Sequence, residues 1–125
     1  MRNWTKALPT LLGFVMLLGA CGSSEADREL SAAAAAGREV ALDKGCAACH
    51  GDNGEGSIGP PWIGLAGSTV DLEGGGAVVA DADYLRRSIV DPQADIVAGM
   101  TVKMPVTELS EAQVDNLIAY IEELR

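Results

Sequence analysis

Five residues constrain this chain more than any others: Cys46-Ala47-Ala48-Cys49-His50, a C-x-x-C-H run whose histidine is the only one in the sequence. Two thiols so spaced can form a redox couple, contribute half of a zinc site or close a disulfide. A thioredoxin-like couple is expected beside a βαβ pattern, and the flanking sequence has none. Zinc needs about four ligands, more than this stretch supplies. A disulfide across two residues would close a very tight loop. Covalent attachment of a c-type haem uses all three side chains. Each thiol bonds one vinyl group, and the adjacent imidazole is placed to reach the iron.

The amino terminus fits that chemistry. Met1 to Lys6 carries two positive charges, and Ala7 to Ala20 is uncharged and mostly apolar. This is the pattern of an export signal, too short for a comfortable membrane span. Residues 1–20 are therefore expected to be a signal peptide. It ends in Leu18-Gly19-Ala20-Cys21, which resembles the lipobox of bacterial lipoproteins. There the cysteine is acylated and becomes the first residue of the processed chain. The alternatives are simple cleavage after Ala20, leaving a free thiol, and an uncleaved anchor. The expectation is an exported, membrane-anchored lipoprotein, lipidated at Cys21 and facing the periplasm or cell exterior, where c-type haem is attached.

The chain carries nine basic and eighteen acidic side chains, a formal charge of −9. Two of the nine, Arg2 and Lys6, lie in the leader, so processing leaves −11. Such a balance disfavours nucleic acid and anionic lipid head groups. It suits either steering toward a basic partner surface or plain solubility.

Residues 21–36 read as a lipid-anchored tether and the start of the first helix. Gly22 to Ser31 is small and polar, and the alanine run Ala32 to Ala36 favours helix. Residues 37–125 form the expected domain, small for a self-sufficient core. Its aromatics are Trp62, Tyr84 and Tyr120, so a buried haem would supply the missing apolar bulk. Arg38 to Lys44 is helix-compatible, with Val40 and Ala41 facing inward. Asp52 to Pro61 is glycine- and proline-rich loop. Thr69 to Leu72, Glu73 to Gly76 and Ala77 to Val79 read as a hairpin. The triple glycine is not a phosphate cradle, since no Gly-Lys-Ser/Thr follows it. Asp81 caps a helix running to Val90, with Tyr84, Leu85 and Ile89 on one side and Pro92 stopping it. Ser110 and Gln113 form a capping box for the last helix. Its apolar residues Val114, Leu117, Ile118 and Ile121 follow i, i+3, i+4, i+7.

A second axial ligand must be something other than histidine. Downstream stand Met100, Met104 and Lys103, in the irregular stretch between two helices. A thioether there can reach iron if the loop wraps the haem edge, or it can simply fill the core. Lys103 would first have to lose a proton.

With these pieces placed, the chain resembles the class I, mono-haem cytochrome c family. The matching segments are Gly45 to Gly51, Gly59-Pro60-Pro61, Lys103-Met104-Pro105 and Leu117-Ile118-Ala119-Tyr120-Ile121. It is more closely similar to the cytochrome c domain fused to subunit II of some bacterial haem-copper oxidases. There a Gly-Pro-Pro segment, a hairpin, a Tyr-Leu-Arg-Arg-Ser-Ile helix and a Met-Pro loop come in the same order. The likeness covers about Gly37 to Leu124. The copper-binding domain and transmembrane helices of subunit II are absent, and lipid on Cys21 would take over the anchoring. Trp62 stands where that family commonly has a smaller apolar residue.

The resemblance implies a mainly α, small class I cytochrome c fold, its helices wrapped around one covalent haem c, with a short β-hairpin insertion. It implies Cys46 and Cys49 as attachment points, and His50 and Met104 as axial ligands. It also implies the Pro60 carbonyl as acceptor for the other nitrogen of His50. Arg86 and Arg87 are candidates for pairing with a haem propionate; the alternative is that both are solvated. The expected function is electron transfer in a respiratory chain, without enzymatic activity of its own. The partners would be redox proteins: a terminal oxidase, a quinol-oxidising complex or a dehydrogenase. The alternatives are an electron-entry subunit of such a complex, and a haem sensor or peroxidase whose methionine dissociates.

Overall fold

A computed structural model describes residues 29–125. The expected signal peptide, Cys21 and the tether up to residue 28 lie outside the described residues. The first helix, α1, runs Ala32–Asp43. Ser31 caps it, its Oγ accepting the Ala34 N–H at 3.2 Å. The alanine run is therefore part of the folded unit. Ala34 is fully buried and Leu30 packs on the core, so the domain begins before Gly37. The same capping residue ties the two ends of the described residues together: the Ser31 N–H donates to Glu123 Oε2 at 2.9 Å.

Beyond α1 come one helical turn, α2 (Ala47–His50), two short strands, β1 (Thr69–Asp71) and β2 (Ala77–Val79), and a helix, α3 (Ala82–Val90). The last helix, α4, is Glu111–Glu123. Helix α1 packs extensively on α4, and α3 also contacts α4. The α1–α4 contact is close because α1 presents small residues. Ala34, Gly37 and Ala41 are all buried, at helical spacings that share a face. A Cβ at Gly37 would fall 1.9 Å from the Asn116 carbonyl oxygen, so only glycine lets the backbones approach this far.

Helix α4 begins with the full capping box. The Gln113 N–H donates to Ser110 Oγ at 3.3 Å, and the Ser110 N–H to Gln113 Oε1 at 2.9 Å. Val114, Leu117, Ile118 and Ile121 are buried as the periodicity requires. Tyr120, off that stripe, is buried too, because Gly37 brings α1 over it. Each such aliphatic side chain contributes about 1.5–3 kcal/mol of transfer free energy.

The hairpin pairs Thr69 with Val79, Val70 with Val78 and Asp71 with Ala77, antiparallel. Its turn uses Gly74, Gly75 and Gly76, all at positive φ (85°, 98° and 96°), where a Cβ would be strained. The hairpin also braces the chain beyond α3. Leu72 bridges to Val97, the Glu73 N–H donates to the Ile96 carbonyl at 2.8 Å, and the Ala98 N–H to the Asp71 carbonyl at 2.9 Å. That bracing fixes the start of the segment that carries both methionines.

Candidate cofactor site

Helix α1 stops where Gly45 takes φ +77°. The chain re-enters helix at once. The His50 N–H donates to the Cys46 carbonyl at 3.0 Å and the Gly51 N–H to that of Ala47 at 2.8 Å. Cys46 and Cys49, three apart on one turn, share a side of it. Both are half-buried and not bonded to each other. Burial pushes the Cys46 thiol above its ordinary pKa; its own backbone hydrogen bond lowers it and Cys49 raises it further. A thiol so placed is a poor thiolate, unlike the reactive half of a redox couple. Among the described residues, no group of three or more His, Cys, Asp and Glu side chains is gathered as a metal site.

His50 is buried, 7 % exposed. Its Nδ1 lies 2.8 Å from the Pro60 carbonyl oxygen. A carbonyl can only accept, so Nδ1 carries the proton and donates, and Nε2 keeps its lone pair. Burial lowers the imidazole pKa, and the bond to Pro60 opposes that shift. The net shift favours the neutral ring, the form that binds metal.

The loop after α2 closes on this ring. The Gly56 N–H donates to the His50 carbonyl at 2.7 Å and the Gly59 N–H to that of Cys49 at 2.8 Å. A Cβ at Gly59 would sit 2.9 Å from His50 Cε1 and 3.1 Å from Nδ1. Glycine is what lets Pro60 reach the imidazole. Trp62 then lies against the ring, centroids 4.5 Å apart and planes 18° apart, and packs T-shaped with Tyr120.

These groups line a cavity of about 390 Å³. Cys46, Cys49 and His50 contribute from α2, Tyr84, Leu85, Ser88 and Ile89 from α3, and Leu117 and Ile121 from α4. The segment between α3 and α4 adds Met100, Lys103 and Met104. The structure thus brings all three second-ligand candidates to the wall that holds His50. Both methionines are tethered through their backbone: the Met104 carbonyl accepts from Gln93 Nε2 at 2.9 Å, and the Met100 N–H donates to the Val97 carbonyl at 3.2 Å.

Arg86 and Arg87 are directed elsewhere. Arg86 pairs with Glu111 at 2.9 Å and with Asp115, raising its pKa, and lies outside the cavity lining. These two carboxylates of α4 reach it across the α3–α4 contact. Arg87 binds Asp95 at 2.9 Å and is not in the lining either, though Asp95 is.

The residues present fit a haem. The walls are mainly apolar, two thiols stand beside a neutral imidazole with one nitrogen free, and thioethers lie in the same cavity. Ser88 Oγ is buried in that wall with no hydrogen-bond partner. A buried hydroxyl without a partner is unfavourable, and a bound group with polar substituents would relieve it. Sequence reasoning did not single out Ser88, Gln93 or the stack of Trp62 on His50. Only the adjacency of Trp62 to Gly59-Pro60-Pro61 hinted at the last.

A protein-family model described as Cytochrome c matches residues 34–125. No curated protein matches the chain.

Proposed function

The chain belongs to the cytochrome c family, whose domain carries electrons on covalent haem c, and from that premise we propose that it holds the iron between His50 and Met104 and serves a respiratory chain. The observation that carries this reading is the hydrogen bond from His50 Nδ1–H to the Pro60 carbonyl, which leaves Nε2 as the one free nitrogen of the only imidazole. Bound haem c supplies a one-electron ferrous/ferric couple. Cys46 and Cys49 bond it covalently. Pro60 orients the His50 ring and raises its basicity. Met104 offers a thioether, which favours the lower charge state and raises the potential. The apolar wall excludes water and acts in the same direction. His50 and Met104 together would leave a bound iron no open position for oxygen or peroxide.

Ile58, Met100 and Val102 line the cavity yet are 56 %, 37 % and 57 % exposed. They give a redox partner an apolar rim to meet. The partner is a terminal oxidase, a quinol-oxidising complex or a dehydrogenase. Among the described residues no helix is long and apolar enough to cross a membrane. A leader ending in Leu18-Gly19-Ala20-Cys21 supports export and a lipid anchor on Cys21.

Paired substitutions test the ligand. In the Met104→Ala holoprotein the potential falls, within the ~0.8 V range that axial ligands span, and carbon monoxide binds the reduced form. Met100→Ala leaves both properties as in the wild type. The reverse outcome would transfer the role to Met100.

A further inference from the structure

The hydrogen bond to Pro60 holds one edge of the His50 ring. By itself it restrains rotation of the ring about Cβ–Cγ at that one edge, and leaves the plane some residual freedom. The indole of Trp62 removes this freedom. The two planes are 18° from parallel with centroids 4.5 Å apart, so turning the imidazole would drive its edge into the indole face. The indole is in turn held. Trp62 is 7 % exposed, and its backbone N–H donates to the Gly54 carbonyl at 2.8 Å. It packs T-shaped with Tyr120, itself 2 % exposed, with centroids 6.1 Å apart and planes at 85°. Tyr120 is set by the close contact at Gly37, where an added Cβ would come 2.8 Å from the Tyr120 Cβ. The support thus runs from the α1–α4 contact through two rings to the imidazole.

We infer that Trp62 is a positioning residue, which by stacking on His50 sets the angle of the imidazole plane about its bond from Nε2 to iron. The inference rests on His50 being an axial ligand. An aliphatic side chain at position 62 would fill space without imposing a plane, whereas a smaller aromatic ring can still stack. Volume and planarity are therefore separable.

The test uses the processed holoprotein as wild type, Trp62→Phe and Trp62→Leu. In low-spin ferric protein, the order and spread of the haem methyl proton resonances report the orientation of the axial ring. Trp62→Phe is expected to keep the wild-type order, and Trp62→Leu to reorder the methyls or narrow their spread. A wild-type pattern in Trp62→Leu overturns the inference. Should that variant fail to mature, the reduced wild-type protein decides. Nuclear Overhauser contacts between the Trp62 indole and His50 ring protons support the stack, and their absence overturns it. A wild-type spectrum without low-spin signals would instead mean that one of the two axial ligands is missing, and would overturn the His50/Met104 ligation on which this inference stands.

Discussion

Pro60 accepts from His50 Nδ1, and that one bond decides which nitrogen is left for chemistry. The bond depends on Gly59, since a Cβ there would meet the ring at 2.9 Å. Gln93 plays a comparable part for the methionine loop, donating to the Met104 carbonyl at 2.9 Å. Replacing Gln93 by Ala removes an exposed hydrogen bond, so stability is expected to fall by no more than about 1 kcal/mol. Carbon monoxide should nonetheless bind the reduced variant several-fold faster, because the Met104 segment opens more often. Stopped-flow mixing measures this; a wild-type rate would deny Gln93 the role. The thiol and imidazole positions were legible in the sequence because they are local: five consecutive residues on one turn. Gln93, Ser88 and the indole stack were not, because each is defined by a partner distant in the chain or by a cavity. The partners of Arg86 and Arg87 were not legible either, because Glu111, Asp115 and Asp95 reach them from other parts of the chain.

Among the elements, those with their own chemical punctuation were readable. Asp81 caps α3 by accepting from the Tyr84 N–H at 2.8 Å, Ser110 and Gln113 close the box of α4, and the triple glycine makes the hairpin turn. The start of α1 was less so. A run of alanines has helix propensity but no pattern to show which side is buried, so Ala34 gives no sign of its contact with the core. Gly37 is the sharper case. In sequence it looks like a helix weakness, about 1 kcal/mol worse than alanine. In the fold it is the point where α1 touches α4. Gly37→Ala would gain that propensity but place a methyl 1.9 Å from a backbone oxygen. Overpacking of this kind costs about 1–3 kcal/mol, and the partner is backbone, which yields little. The variant is expected to unfold at lower denaturant concentration than the wild type. A higher midpoint would mean that propensity outweighs the contact and that the packing is looser than described.

At the scale of the molecule, the fold is a few helices and a hairpin arranged around one cavity. The class of this fold was visible because the motif, the Gly-Pro-Pro segment, the Met-Pro loop and the last helix come in family order. The hairpin's second task was not visible. It braces residues 96–98 through backbone bonds, which no side-chain pattern encodes, and so sets where the methionine segment begins. The central claim is that this arrangement closes both axial positions of one covalent haem. Absorption spectra of the oxidised and reduced holoprotein, the latter with and without carbon monoxide, test it most directly. The expected result is a covalent c-type spectrum, a weak far-red band from a methionine–ferric bond, and no shift with carbon monoxide. A covalent haem that binds carbon monoxide readily would contradict the claim, leaving an open site suited to sensing or peroxide chemistry.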